Sequence, residues 1–440
     1  MNTPIVDFVK DYAQKNMSRL HMPGHKGKSF LGVEKYDITE VEGADVLSTA
    51  DGIIAESENN ASLLFDTNHT YYTTQGSTTA IYAMLALVKK QNGVILAARN
   101  VHKAFIHACA LLDMEVQWLM DSDASTVLKC EVSAKTVEDK IKSLSQKPVA
   151  VYLTSPDYLG NIQNIPEISE VCKKYDVPLL VDNAHGAYLG FLEKSLHPIH
   201  LGATVCCDSA HKTLPVLTGG AYLHISKDAP KEFGDKARGA LALFSSTSPS
   251  YIILQSLDLC NRYINDKIRE DLLECVNKTN ALKDYIKEKG FCVMDGEPLK
   301  ITLDCNASGY TGDEMATVLR NNNIEPEFYD DRYLVLMVTP QNDHEDFKLI
   351  SNAFSDLKSK KPIGETGLKI SLPVKKMSVR DAVFAESETV DVDNSIGRIC
   401  ASPTVSCPPA VPIAVSGEEI TEEVAELFKY YGTDKILVVK

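Results

Sequence analysis

Between Asn68 and Ser226, short apolar or β-branched runs alternate with longer stretches whose apolar residues recur at helical spacing. The runs are VILAA (94–98), VAVYLTS (149–155), PLLVDNAH (178–185), ATVCCDS (203–209) and GGAYLHIS (219–226). They are apolar with little polar alternation and are flanked by turn formers, which predicts strands of a mostly parallel sheet covered by helices. IPEISEVCKKYDV, between two of the runs, has the spacing of a crossover helix. The notable polar residues fall where the runs stop: Ser155 and Asp157, Asp182 and His185, then Ser209, His211 and Lys212. Ligands of open α/β sheets bind beyond the carboxyl ends of the strands, so these segments are expected to converge on one crevice.

The flanks read differently. MNTPIVDFVKDYAQKN predicts a capped surface helix rather than a signal peptide, so export is not expected. A helical stretch runs from about Ser248 to Lys289. Beyond it, FCVMDGEPLKITLDC and RYLVLMVTP predict strands, Thr311 followed by Glu314 predicts a capping box, and a helix is expected near Asp343 to Leu357. KSKKPIGETG reads as a linker to a terminal module containing CPPAVPIAVSGEEI. The expected division is a large α/β domain over 1–290, a smaller α+β domain over 291–360 and a carboxy-terminal domain over 361–440. A chain of 440 residues exceeds what one hydrophobic core serves.

Composition narrows the function. Hydrophobic content of 44% and the absence of long apolar runs predict a soluble protein with no membrane partner. The net charge of −15 argues against a nucleic-acid partner and suits a cationic substrate. Eleven cysteines stand in apolar segments, which predicts buried thiols rather than disulfides. No CxxC pair or HExxH helix supports a metal site. GHKGKS imitates a P-loop, but the required first glycine falls at Met22, and no GxGxxG is present.

Four motifs carry candidate chemistry. In TTQGSTTAIYAMLALVKK, Gly76, Ser77 and Thr78 precede an apolar helical run and offer a phosphate cradle; a plain Ser/Thr helix cap is the alternative. In CDSAHKTLPVLTGGAYLHI, Lys212 lies between a strand end and a glycine loop, where a lysine can form a Schiff base with an aldehyde cofactor; the alternative is a solvated surface lysine. In VDNAHGAYLGF, Asp182 ends a run too apolar to be exposed. A buried carboxylate needs a partner, and the ring nitrogen of pyridoxal phosphate is one; a structural ion pair is another. In NVHKAF, His102 follows a strand and is placed to stack on a cofactor ring, although single histidines are commonly structural.

Taken with HMPGHKG (21–27), GST (76–78), TSPDYLGN (154–161), STSPSY (246–251), GRICASP and PPAVP, these motifs resemble the short form of the ornithine/lysine/arginine decarboxylases. The resemblance spans nearly the whole chain. It implies an aspartate-aminotransferase-like, fold-type-I large domain with pyridoxal 5'-phosphate as cofactor. It also implies decarboxylation of arginine, lysine or ornithine, feeding polyamine metabolism, in a cytoplasmic homodimer or higher homo-oligomer with sites at the interface. By the same resemblance Lys212 anchors the cofactor, Asp182 binds its ring nitrogen and His102 stacks on it. Ser77, Thr78, Ser209 and His211 hold the phosphate, His185 lies beside the ring, and Ser246 and Thr247 reach the neighbouring subunit's site. On acid–base grounds Lys212 or a nearby histidine such as His211 is expected to reprotonate Cα to give the amine. TLPVLTGG after the lysine, Cys207 before SxHK, and Asn183 where an acid is frequent depart from the family pattern. An aminotransferase of the same fold and a catalytically silent cofactor-binding homologue are the rival readings. Glu327, Asp330, Asp331 and Glu418 are expected to be solvated charges without a site role.

Overall fold

The computed structural model describes residues 1–91, 93–121, 126–364, 374–403, 406–407 and 410–440, with the side chains of residues 406 and 407 excluded. Residues 365–367 of the expected linker and Pro408 and Pro409 of PPAVP lie outside the described residues. The chain divides into two compact units, Met1–Lys89 with Cys172–Glu270, and Lys90–Val171 with Asp271–Lys440. In chain order the strands of the principal, seven-stranded sheet are β1 (His69–Thr73), β2 (Val94–Ala98), β3 (Glu115–Leu119), β4 (Ala150–Thr154), β5 (Leu179–Asp182), β6 (Val205–Asp208) and β7 (Ala221–Ile225).

The first unit supplies four of these strands in the order β1-β7-β6-β5. β5 and β6 are parallel, with Asp182 opposite Cys207, whereas β7 runs antiparallel to both β6 and β1. Every residue of β5, β6 and β7 is buried, which explains their unbroken apolar character. Helix Ser77–Val88 is apolar nearly all round for the same reason, burying Ile81, Met84, Leu85 and Val88. The amino-terminal helix spans Pro4–Gln14, with Ile5 and Val9 fully buried. Thr3 at its cap makes no side-chain bond to a helix amide; the Val6 amide donates instead to Asp258 Oδ2 (3.0 Å). The expected capped surface helix is therefore an amphipathic helix held by a buried carboxylate.

The second unit supplies β4-β2-β3, all parallel, and a four-stranded antiparallel sheet ordered β10-β11-β9-β8, from β8 (Cys292–Val293), β9 (Lys300–Asp304), β10 (Phe328–Tyr329) and β11 (Tyr333–Met337). The capping box at Gly312–Asn321 is formed in both directions: the Glu314 amide donates to Thr311 Oγ1 (3.1 Å) and the Thr311 amide to Glu314 Oε2 (2.9 Å). A two-stranded antiparallel pair, Ser387–Asp391 with Lys435–Val439, shares an apolar core with the small sheet through Val335, Phe328, Phe428 and Val438. Nine of the ten cysteines described are buried; Cys292 is exposed, against the expectation of uniformly buried thiols. No helix among the described residues is long and apolar enough to cross a membrane.

Candidate active site

Asp182 is the last residue of β5 and is 2% exposed. Its Oδ1 accepts the Ala184 amide (3.1 Å) and the Cys207 thiol (3.6 Å) from the facing strand. Burial, followed by the Asp182 and Asp208 charges, pushes the Cys207 thiol well above its ordinary range, so it stays protonated and donates. Three residues beyond Asp182 stands His185, buried, with its Nε2 hydrogen-bonded to Lys212 Nζ at 3.0 Å. Lys212 comes from the single helical turn Ala210–Thr213 that follows β6. It is half-buried rather than a solvated surface lysine.

Gly76, in the left-handed region at φ 74°, caps helix Ser77–Val88 without any side-chain capping bond. The Ser77 hydroxyl is therefore not the helix cap; it accepts from the Ser209 hydroxyl at 2.8 Å. This leaves first-turn amides and two paired hydroxyls at one helix start, a set suited to an anion. The Gly76 amide donates to Gly219 O (2.8 Å). Gly219 has φ 99°, and a Cβ there would stand 2.8 Å from Thr74 O, so the second glycine motif is the support of the first.

His211 donates Nδ1–H to Gly220 O (3.0 Å), which leaves Nε2 as the basic nitrogen. Burial, with a further push from the Lys212 charge, lowers its pKa below the usual histidine value despite the carbonyl. Ser246 and Thr247 are exposed, and the Ser246 amide donates to Gln75 Oε1 (2.9 Å), one residue before Gly76. His102 belongs to the second unit, where it caps helix Lys103–Leu112 by accepting the Ala104 amide at Nδ1 (3.1 Å). Ser155 and Asp157 also belong there. Asp157 binds its own turn through the Leu159 and Asn161 amides, and Ser155 Oγ accepts the Gln163 amide.

Among the acids set aside as solvated, Glu418 is 2% exposed and paired with Arg99 (3.1 Å), so that expectation is corrected. Glu327 and Asp331 are exposed, and Asp330 is half-buried, accepting the Arg332 and Tyr333 amides. Sequence reasoning also missed a buried cluster behind the strand ends: Asn183, Asp208, His197 and His224. The only signal for it was the adjacency of Asn183 to Asp182 and of Asp208 to Ser209.

An amine, a buried carboxylate 30 positions before it, and hydroxyl and amide donors at a helix start fit pyridoxal 5'-phosphate in donor chemistry. Lys212 would hold the aldehyde carbon, Asp182 the ring nitrogen, and Ser77, Thr78 and Ser209 the phosphate.

Residues 3–302 match the major domain of the Orn/Lys/Arg decarboxylases, and residues 370–434 match their C-terminal domain. An arginine decarboxylase of Bacillus subtilis is 27% identical over 460 residues, covering 97% of this chain and 93% of the relative. The uncharacterized protein YaaO of the same organism is 28% identical over 448 residues, covering 96% and 93%. Among solved structures, the constitutive lysine decarboxylase of E. coli superimposes with a TM-score of 0.82 at 18% identity, over 100% of this chain and 82% of that one. Lysine decarboxylase A of Pseudomonas aeruginosa gives 0.81 at 18%, over 97% and 75%. The α/β architecture read from the apolar runs is thus the fold of these enzymes, and the chain belongs to the Orn/Lys/Arg decarboxylase family.

Proposed function

We propose that this chain is a pyridoxal-5'-phosphate-dependent decarboxylase of arginine, lysine or ornithine, releasing carbon dioxide and the corresponding amine for polyamine metabolism. The observation that carries this reading is the hydrogen bond between Lys212 Nζ and His185 Nε2, three residues after the buried Asp182. Family membership and relatives named arginine decarboxylase support it. When bound, the cofactor supplies a ring that takes up the electron pair left by the departing carboxylate.

The chain's own residues do the rest. Lys212 anchors the cofactor, and Asp182 keeps the ring nitrogen protonated. Ser77, Thr78 and Ser209 bind the phosphate, and His211 stands beside them. His185 orients the lysine, and His102 is assigned the ring face by family likeness. A proton returns to the substrate's α-carbon from Lys212 or from His211, which can serve as donor only after its basic Nε2 has taken up a proton, because its own ring proton is held on Nδ1 by Gly220 O. The exposed Ser246 and Thr247 complete a neighbouring subunit's site in a cytoplasmic homodimer.

The test supplies purified protein with the cofactor and each basic amino acid, and identifies products by mass spectrometry. One amine, released in equal amount with carbon dioxide, is expected. Keto acids alone would make the chain an aminotransferase, and bound cofactor with no product a silent homologue; either overturns the proposal.

A further inference from the structure

Asn183 and Asp208 are the residues next to Asp182 and Ser209, and they sit on the other face of the sheet. Asp182 and Cys207 are register partners and touch, so their side chains share one face; the following residues, Asn183 and Asp208, point to the opposite one. There Asn183 Nδ2 donates to Asp208 Oδ1 (2.7 Å), while Oδ2 meets His197 Nε2 (2.9 Å) and His224 Nε2 (3.0 Å). All four side chains are fully buried. The Cys206 thiol, 3.6 Å from Oδ1, adds a weak donor.

The hydrogen bonds assign the protons. The Ile199 amide donates to His197 Nδ1 (3.3 Å), so that nitrogen bears a lone pair and the ring proton is on Nε2, facing Asp208. His224 Nδ1 is paired with the Thr70 hydroxyl (2.9 Å), leaving Nε2–H for the same oxygen. A carboxylate met by three N–H donors has nothing to donate to, so Asp208 is ionised, and the amide donated to Nδ1 leaves the His197 ring neutral. Burial opposes that charge, and the imidazole N–H donors on Oδ2 favour it. The same tautomers speak against a metal ion among His197, Asp208 and His224, although their ligand atoms lie within 4.8 Å of one another. A metal-bound Nε2 would move the proton to Nδ1, where it would oppose the Ile199 amide.

We propose that Asp208 is the positioning residue of the Lys212 site, and that Asn183 and Asp208 form one pair sharing a single buried anion that braces the ends of β5 and β6. Those ends carry Asp182 on one side and Ser209 to Lys212 on the other. An acid at position 183 would set a second carboxylate about where Asn183 meets Asp208 at 2.7 Å, and the two could not both ionise. Asn183 Oδ1 is buried without a partner among the described residues, pressed where a Cβ on Gly186 would stand, so the side chain serves as a donor only.

The pair makes a swap prediction. In N183D/D208N, the amide oxygen introduced at position 208 can take both imidazole protons while its NH2 group faces the carboxylate introduced at position 183, restoring every bond between the four positions. D208N alone sets two amide groups donor to donor, and N183D alone sets two acids together. Each single variant is expected to lower the unfolding midpoint by about 5 °C and to release pyridoxal phosphate about ten-fold faster. The double variant is expected to recover more than half of both shifts. Cofactor release rests on the proposed function; the unfolding cycle does not, so a chain that binds no cofactor would still judge the pair. The pH midpoint of the cofactor's visible band in the full-length holoenzyme should move in D208N and return in the double variant, which a purely structural brace would not produce. Nitrogen-15 shifts of His197 and His224 in the parent protein need no variant, and both protons are expected on Nε2. A double variant worse than either single one, an unmoved band midpoint, a proton on Nδ1 of either ring, or stoichiometric zinc in the purified protein would each overturn the proposal.

Discussion

Glu418→Gln is the substitution that most sharply tests how the second unit is held. The Glu418 carboxylate accepts three donors: Arg99 Nη2 at 3.1 Å, the Val415 amide at 2.7 Å and Trp118 Nε1 at 3.0 Å. Arg99 keeps two carbonyl partners, Pro412 and Ile413, and lies over the indole at 5.0 Å. A glutamine amide must turn one N–H toward a donor, and the guanidinium loses its only ion pair among the described residues. Breaking one side of a buried pair costs about 3–5 kcal/mol. E418Q and R99M are each expected near 3 kcal/mol of lost stability, with the double variant near the same figure rather than twice it, a coupling of about 3 kcal/mol between contacting residues. Trp118 is the chain's single tryptophan, so urea unfolding followed by its fluorescence reads this cluster directly. The native emission of E418Q should also shift, because the indole N–H loses its anionic acceptor. Single variants that lose under about 1 kcal/mol with unchanged emission, or a double variant that loses the sum, would refute a desolvated pair.

Gly219→Ala forces a side chain onto a φ of 99° and a Cβ to 2.8 Å from Thr74 O, and is expected to cost about 1–3 kcal/mol in thermal unfolding. Gly239→Ala, within helix Lys231–Ala242 and with nothing within 4 Å of its Cβ, should instead gain about 0.5–1 kcal/mol; the reverse order would refute the strain argument. Burial raises the Asp258 carboxyl from 3.8 to about 6, against the pull of the Ser57 hydroxyl and the Val6 amide. A raised folded-state pKa stabilises fully below about pH 3.8 and is lost as pH climbs through about 6, worth about 3 kcal/mol for the 3.8-to-6 interval. Asp258→Asn should remove that dependence, so the variant's stability relative to the parent improves between pH 4 and 7. A difference that stays flat with pH would contradict it.

The strands β2, β4, β5, β6 and β7 were legible because burial on both faces demands uninterrupted apolar residues. β1 (HTYYT) and β3 (EVQWL) were not, since each mixes polar groups with apolar ones over five residues and β3 is only half-buried. Of the candidate site residues, Lys212, Asp182, Ser77 and Ser209 were legible because each stands at a strand end or helix start. The hydroxyl pairing of Ser77 with Ser209 spans 132 positions and the brace of Asn183 by Asp208 spans 25; both depend on strand register, which periodicity alone does not specify. Glu418 read as a surface acid because its partner Arg99 lies 319 positions away.

The proposed tether of the cofactor is one amine, Lys212. Reducing the pyridoxal-phosphate-loaded protein with borohydride and mapping its peptides by mass spectrometry locates that tether without reference to turnover. A single phosphopyridoxyl group on Lys212, absent from Lys212→Ala, is the result expected; the group on another lysine, or on none, would contradict the assignment.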